Sequence, residues 1–142
     1  MTHGLDTSFL VAVEVASHVE HVNCRARFQK LVKAGDTFSL APQILAEFIH
    51  IVTDPKRFST PLTTVQAIER AEIWWNASEV VHVFPTAEST LLFLGWLEEF
   101  KLGRKRQLDT MLASTLQAGG VTSILTLNRD DFGVFGVFTF PK

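Results

Sequence analysis

Short groups of acid and hydroxyl residues recur along the 142-residue chain. Asp6-Thr7-Ser8 follows the short segment Thr2 to Leu5, and Glu47 stands alone among Ile44, Leu45, Phe48, Ile49, Ile51 and Val52. Asp109 follows Gln107-Leu108, and Thr126-Leu127-Asn128-Arg129-Asp130-Asp131-Phe132 closes an apolar run. Oxygen donors gathered in one place suit a hard divalent cation such as Mg²⁺, which keeps several waters and needs only a few protein ligands. Each acid also has an ordinary use. Asp6 and Asp109 suit helix N-termini, Glu47 can reach solvent by its length, and Asp130 and Asp131 suit a turn. The combination says more than any member, because capping does not require an acid on an apolar helix face.

The elements that must position these residues follow from patterning. Thr2 to Leu5 is a short strand leading into a helix that Asp6 or a hydroxyl caps. A polar break at Ser17 to His21 precedes a second helix, from about Val22 to Lys33, stopped by Gly35. Thr37 to Leu40 alternates as a strand. Pro42 suits the first turn of the helix Gln43–Val52, where Glu47 shares a face with Ile44 and Ile51. After a loop from Asp54 to Pro61, a helix runs from about Thr64 to Asn76. The strand Val80–Phe84 and a helix from Thr86 to Phe100 follow. Leu108 to Ala118 is the next helix, with Gly119-Gly120 its stop, and Val121 to Leu127 the next strand. Gly133 to Phe140 is expected to add a last short strand.

Strands alternating with helices predict an α/β fold over residues 1–142: a three-layer α/β/α sandwich around a mainly parallel sheet, in one domain. Ligands of such sheets bind outside the carboxyl ends of the strands. Asp6 and Asn128 both lie just past strand ends, so adjacent strands would bring them into one crevice. Asp109 and Glu47, near helix starts, would point into it.

Composition sets the outer bounds. Nearly half the residues are hydrophobic and a fifth charged, as in ordinary globular proteins. The single Cys24 excludes an intrachain disulfide and reads as a buried small hydrophobe. No apolar run is long enough to span a bilayer, no leader pattern opens the chain, and a cytoplasmic protein is the default expectation. The net charge of −2 does not advertise nucleic-acid binding overall, yet Lys101, Arg104, Lys105 and Arg106 cluster just before Asp109. They form either a solvated loop or a flank that attracts phosphates.

Order and spacing of these motifs resemble the PIN-domain ribonucleases, and within them the VapC-type toxins of bacterial toxin–antitoxin pairs. The resemblance covers nearly the whole chain and rests on Leu5-Asp6-Thr7-Ser8, Glu47, Asp109 before Gly119-Gly120, and Thr126 to Phe132. It implies a Mg²⁺- or Mn²⁺-dependent endoribonuclease that leaves a 5′-phosphate and a 3′-hydroxyl. Asp6, Glu47 and Asp109 match the regular metal-site acids. Asp131 ranks first for a fourth catalytic and metal position, Asn128 second, and Asp130 is expected to face solvent. Thr7, Ser8, Thr126, Arg104, Lys105 and Arg106 are the expected substrate contacts. The resemblance further implies a homodimer and a small antitoxin partner, with Trp74, Trp75 and Trp96 as candidate surfaces and at least one of the adjacent pair in the core.

Two other classes remain open from sequence. A non-catalytic PIN-like binding module would keep the fold without chemistry. A phosphoacceptor receiver domain also carries acids at strand ends, but it would want a paired acid where Thr7-Ser8 stand and a lysine where Asn128 stands. No histidine is needed for catalysis: His50 and His82 read as packing or surface groups, and His3, His18 and His21 as solvent-facing. The RNA target is not legible.

Overall fold

The computed structural model describes residues 1–142. Four strands, β1 (Thr2–Leu5), β2 (Thr37–Leu40), β3 (Val80–His82) and β4 (Ile124–Leu125), form one sheet in the order β3-β2-β1-β4, every pair parallel. The helices are α1 (Thr7–Glu14), α2 (His21–Lys33), α3 (Pro42–Val52), α4 (Thr64–Asn76), α5 (Ala87–Glu99), α6 (Gln107–Ala118) and α7 (Arg129–Gly133). They pack as two groups, α1 with α2 and α3 and α3 with α4, then α5 with α6 and α6 with α7. Right-handed crossovers put these groups on opposite faces, because β1 to β3 steps one way across the sheet and the return to β4 steps the other. The expected α/β layering is the architecture found. A receiver-like sheet, ordered 2-1-3-4-5, is not.

The chain reverses direction across the sheet between β1 and β4, and that reversal defines the crevice for ligands. Backbone bonds Gly4 N–H to Ser123 O at 2.7 Å and Asp6 N–H to Leu125 O at 3.1 Å fix the register of the two strands. Gly4 is needed there: a Cβ at this position would stand 2.5 Å from Leu116 Cδ1, so α6 packs directly on the β1 backbone. Gly120 ends α6 at φ +78°, a conformation that glycine adopts without steric cost. Leu5, Phe9, Leu10, Phe38, Leu40, Phe48, Leu112, Leu116, Ile124 and Phe132 are fully buried around the sheet. Cys24 joins this core as expected.

Besides β3 ending at His82 rather than Phe84 and a helix at Arg129–Gly133 in place of a polar turn, two elements differ from expectation. The strand expected over Val121–Leu127 is only Ile124–Leu125, because the Leu127 N–H donates to Ser8 Oγ (3.0 Å) and the Asn128 N–H to Thr126 Oγ1 (3.0 Å). Side-chain hydroxyls have replaced ladder partners, and the backbone turns into α7. The expected C-terminal strand reduces to one parallel bridge, Ser123 with Thr139, on the outer edge of β4. Of the histidines, His82 is exposed and stacked on Trp75, His50 is exposed, and His3 is a correction. His3 is buried, with Nδ1 2.7 Å from Ser123 Oγ and Nε2 2.9 Å from Asp36 Oδ2, so it pins β1 between β4 and the α2–β2 turn. Alternation along β1 turns His3 to the face of the buried Leu5, which a solvent-facing reading overlooked.

Candidate active site

Each acid reaches the crevice by a local rule. Asp6 leaves β1 in extended conformation and caps α1, its Oδ1 accepting the Thr7 N–H at 2.8 Å. Its Oδ2 accepts from Ser8 Oγ at 2.8 Å and from Thr126 Oγ1 at 2.7 Å. Capping and site geometry are therefore one arrangement, and the two uses foreseen for Asp6 do not compete. Pro42 starts α3, which turns its apolar residues Ile44, Phe48 and Val52 to the core. Glu47 on the flank of that stripe accepts from Thr7 Oγ1 at 3.0 Å. Asp109 lies in the first turn of α6, where an acid meets the positive end of the helix dipole.

Asp6, Thr7, Ser8, Glu47, Asp109 and Asn128 line one open cavity of about 570 Å³. Its remaining wall is Val11, His18, Ile51, Arg57, Phe58 and Leu127. Burial holds the Asp6 carboxyl above the usual carboxylate range, against three hydrogen bonds that favour its ionised form. Burial also raises Glu47, helped by the negative charge of Asp6 and opposed by the Thr7 hydroxyl. Asp109 is pushed up to about 6, first by desolvation and then by Asp6 and Asp131, while Arg106 opposes the shift. The charge of Asp6 thus raises the proton affinity of both Glu47 and Asp109, and Glu47 adds to that of Asp109.

These residues fit a hydrated cation. No three His, Cys, Asp or Glu side chains converge tightly enough to chelate one ion as they stand. Mg²⁺ takes one or two carboxylates and keeps several waters, and the cavity has room for that shell.

The other expected site residues divide. Asn128 lines the cavity; Asp131 faces a neighbouring shallow recess with Asn128 and Asp130, and Asp130 is exposed as expected. Asp131 is held 3.8 Å from Arg106 Nη1, and its carbonyl oxygen accepts from Arg106 Nη2. Arg104 and Lys105 are exposed on a 3-10 turn (Arg104–Arg106), while Arg106 turns inward with Nε 4.0 Å from Asp109 Oδ2. Thr7 and Thr126, expected to meet substrate, are buried, and their hydroxyl protons go to Glu47 and Asp6. The Ser8 proton also goes to Asp6. These hydroxyls orient the acids.

Three further cavity residues were not foreseen from the sequence. His18, placed in solvent by its polar surroundings, is half-buried and lines the cavity, as do Arg57 and Phe58. The available signal was the turn former Asp54-Pro55 directly after the helix that carries Glu47. Among the tryptophans, Trp74 and Trp96 are buried, so only the half-buried Trp75 retains an accessible face.

The fold matches a solved VapC structure and two solved VapBC structures along nearly the whole chain. The crystal structure of VapC20 from Mycobacterium tuberculosis, described as a sarcin–ricin loop cleaving toxin, superposes with a TM-score of 0.74 at 16% identity, covering 100% of both chains. VapBC-1 from nontypeable Haemophilus influenzae gives a TM-score of 0.68 at 15% identity, over 100% of this chain and 98% of that one. VapBC2 from Rickettsia felis, solved bound to a DNA fragment from its promoter, gives 0.68 at 19% identity, over 99% and 97%. No family profile matches the sequence, and no curated protein does. The likeness is one of fold. No helix is long and apolar enough to cross a membrane.

Proposed function

We propose that residues 1–142 act as one domain, a divalent-cation-dependent endoribonuclease and the toxin of a toxin–antitoxin pair. One observation carries this reading: Asp6, Glu47 and Asp109, from three different elements, face a single open cavity with all three carboxyl groups held above their ordinary range. That cost in the cation-free chain is what a bound Mg²⁺ or Mn²⁺ would relieve.

Asp6, Glu47 and Asp109 would hold the cation, with Asn128 or Asp131 completing the set directly or through water. When bound, the cation supplies Lewis acidity, which makes water a better nucleophile and offsets charge developing at phosphorus. The chain's own part is positioning. Ser8 and Thr126 hold Asp6 by two hydroxyl donors, and Thr7 holds Glu47 by one. Arg106 sits between Asp109 and Asp131 and fixes the α6 entrance relative to α7. The products would be a 5′-phosphate and a 3′-hydroxyl, formed in the cytoplasm where such RNA is found.

The same reading includes a homodimer and an antitoxin. Two of the matched structures are VapBC-1 and VapBC2. Leu91 and Leu94 leave a large apolar face open on α5, and Leu108 one at the start of α6.

The test is RNA cleavage with Mg²⁺ or Mn²⁺ present or chelated. The parent should cleave only with the cation, and Asp6→Asn should lose roughly a hundredfold or more. The cation should also raise the melting temperature of the parent, and less so that of Asp6→Asn. Equal cleavage by parent and Asp6→Asn, or melting curves indifferent to the cation, would refute the reading.

A further inference from the structure

The geometry points to a second subsite in the same cavity: Arg57, His18 and Phe58 form a wall that binds the nucleotide next to the scissile phosphate. This inference rests on the nuclease reading and adds to it the residues that hold the RNA strand. Arg57 is the one cationic side chain lining the cavity, which it shares with four residues that carry carboxyl or carboxamide groups. A cavity lined only by acids would repel a polyanion, so the strand needs positive charge on one side. The exposed residues Arg104 and Lys105 do not line it, and Arg106 is engaged by Asp109 and Asp131.

The wall is built rather than loose. Asp54 Oδ1 accepts the Lys56 N–H at 2.8 Å, and Asp54 O accepts the N–H groups of Arg57 and Phe58, both at 3.1 Å. Leu62 N–H closes the loop on Val52 O at 2.9 Å. Asp54 Oδ2 stands 3.6 Å from Arg57 Nε, so the guanidinium is steered while its side chain stays 58% exposed. That exposure leaves its outer N–H groups free for phosphate oxygens, which guanidinium recognises in forked geometry.

His18 supplies a second donor. Its Nδ1 accepts the Glu20 N–H at 3.0 Å, which places the proton of the neutral ring on Nε2. Nε2 has no protein partner, and the ring lines the cavity. Phe58 is half-buried against the core and gives a fixed aromatic face beside Ile51 and Val11. Base stacking on such a face is tolerant of sequence. A phosphate on Arg57 and His18 with its base over Phe58 fills the wall that the acids leave open.

The experiment measures cleavage of a fluorescent single-stranded RNA dodecamer of mixed sequence in Mn²⁺, with Arg57→Gln, Arg57→Lys and Phe58→Leu beside the parent. Arg57→Gln should raise KM roughly tenfold with kcat little changed. It should also reduce the salt slope of binding by about 0.7, the loss of one phosphate contact on a single strand. Arg57→Lys should recover part of both, and Phe58→Leu, which keeps apolar volume, should raise KM roughly fivefold. The cation-dependent rise in melting temperature should be that of the parent in all three, since none is a cation ligand. Parent-like KM and salt slope in Arg57→Gln, while Asp6→Asn abolishes cleavage, would overturn the subsite and leave the nuclease intact. Absence of cation-dependent cleavage by the parent would instead overturn the nuclease reading, and the subsite with it.

Discussion

Thr126 Oγ1 donates to Asp6 Oδ2 across 2.7 Å, joining the carboxyl ends of the two strands that flank the crevice. The same oxygen accepts the Asn128 N–H at 3.0 Å, so one hydroxyl both holds the acid and turns the chain away from β4. Both residues are buried, which makes an unmade bond costly.

Thr126→Val keeps the shape and removes the hydroxyl. Asp6 then loses one of the donors that favour its ionised form, and the Asn128 N–H loses its acceptor. The expected loss is about 1–3 kcal/mol of stability in urea denaturation, with a weaker melting shift on adding Mg²⁺. Thr126→Ser should retain most of both. Parent-like urea midpoints for the valine variant would show that this hydroxyl contributes nothing net.

The raised carboxyl groups set a pH dependence whose sign is fixed. Asp109 has a folded pKa of about 6, above its ordinary 3.8, so the folded chain binds that proton more tightly than the unfolded one. Its stabilising contribution is complete below the unfolded pKa and is lost as pH rises through about 6. Asp6 and Glu47 are shifted in the same direction and add to the trend. Asp36 works oppositely, because hydrogen bonds from His3 and the N-terminus lower its pKa and its contribution disappears in stronger acid. In EDTA, the melting temperature should therefore fall between about pH 5 and pH 7. The increment from Mg²⁺ should grow over that window, as the ligands become free of protons. Asp109→Asn should flatten both slopes. A melting temperature that climbs with pH in EDTA would contradict the assignment.

How far the sequence revealed this site depended on whether local pattern or tertiary contact placed each residue. Asp6 and Asp109 were legible because a strand end and a helix start are local features. Glu47 was legible as an acid beside an apolar stripe. The hydroxyls of Thr7 and Thr126 were expected at the site because their motif places them near the acids, while the hydrogen bonds that direct them to Glu47 and Asp6 depend on packing. His3 was misplaced although strand alternation sets it on the face of Leu5, and His18 because it lies in a polar stretch that only tertiary contacts turn into the cavity. The strand that became β4 was placed but drawn too long, because its apolar run continues past the point where Ser8 and Thr126 take over the backbone donors.

Arg106 shows most clearly what contact geometry adds to a basic run. Its Nε stands 4.0 Å from Asp109 Oδ2 and is buried without a hydrogen-bond acceptor, while its outer nitrogens are held by Asp131. It acts as a resident positive charge beside the proposed cation position. Arg106→Gln should raise the Asp109 pKa further, because the guanidinium now opposes that shift. At about pH 8, well above that pKa, Asp109 remains ionised and the net effect should be the loss of a repelling neighbour. The Mg²⁺ concentration that gives half the melting shift should then fall roughly fivefold. Near pH 6 the gain should shrink, as the higher pKa of Asp109 restores competition from protons. Arg104→Gln and Lys105→Gln, on the exposed side of the same turn, should leave the Mg²⁺ midpoint where it is. An Arg106→Gln midpoint equal to or above that of the parent at the higher pH would show that the guanidinium does not compete with the cation.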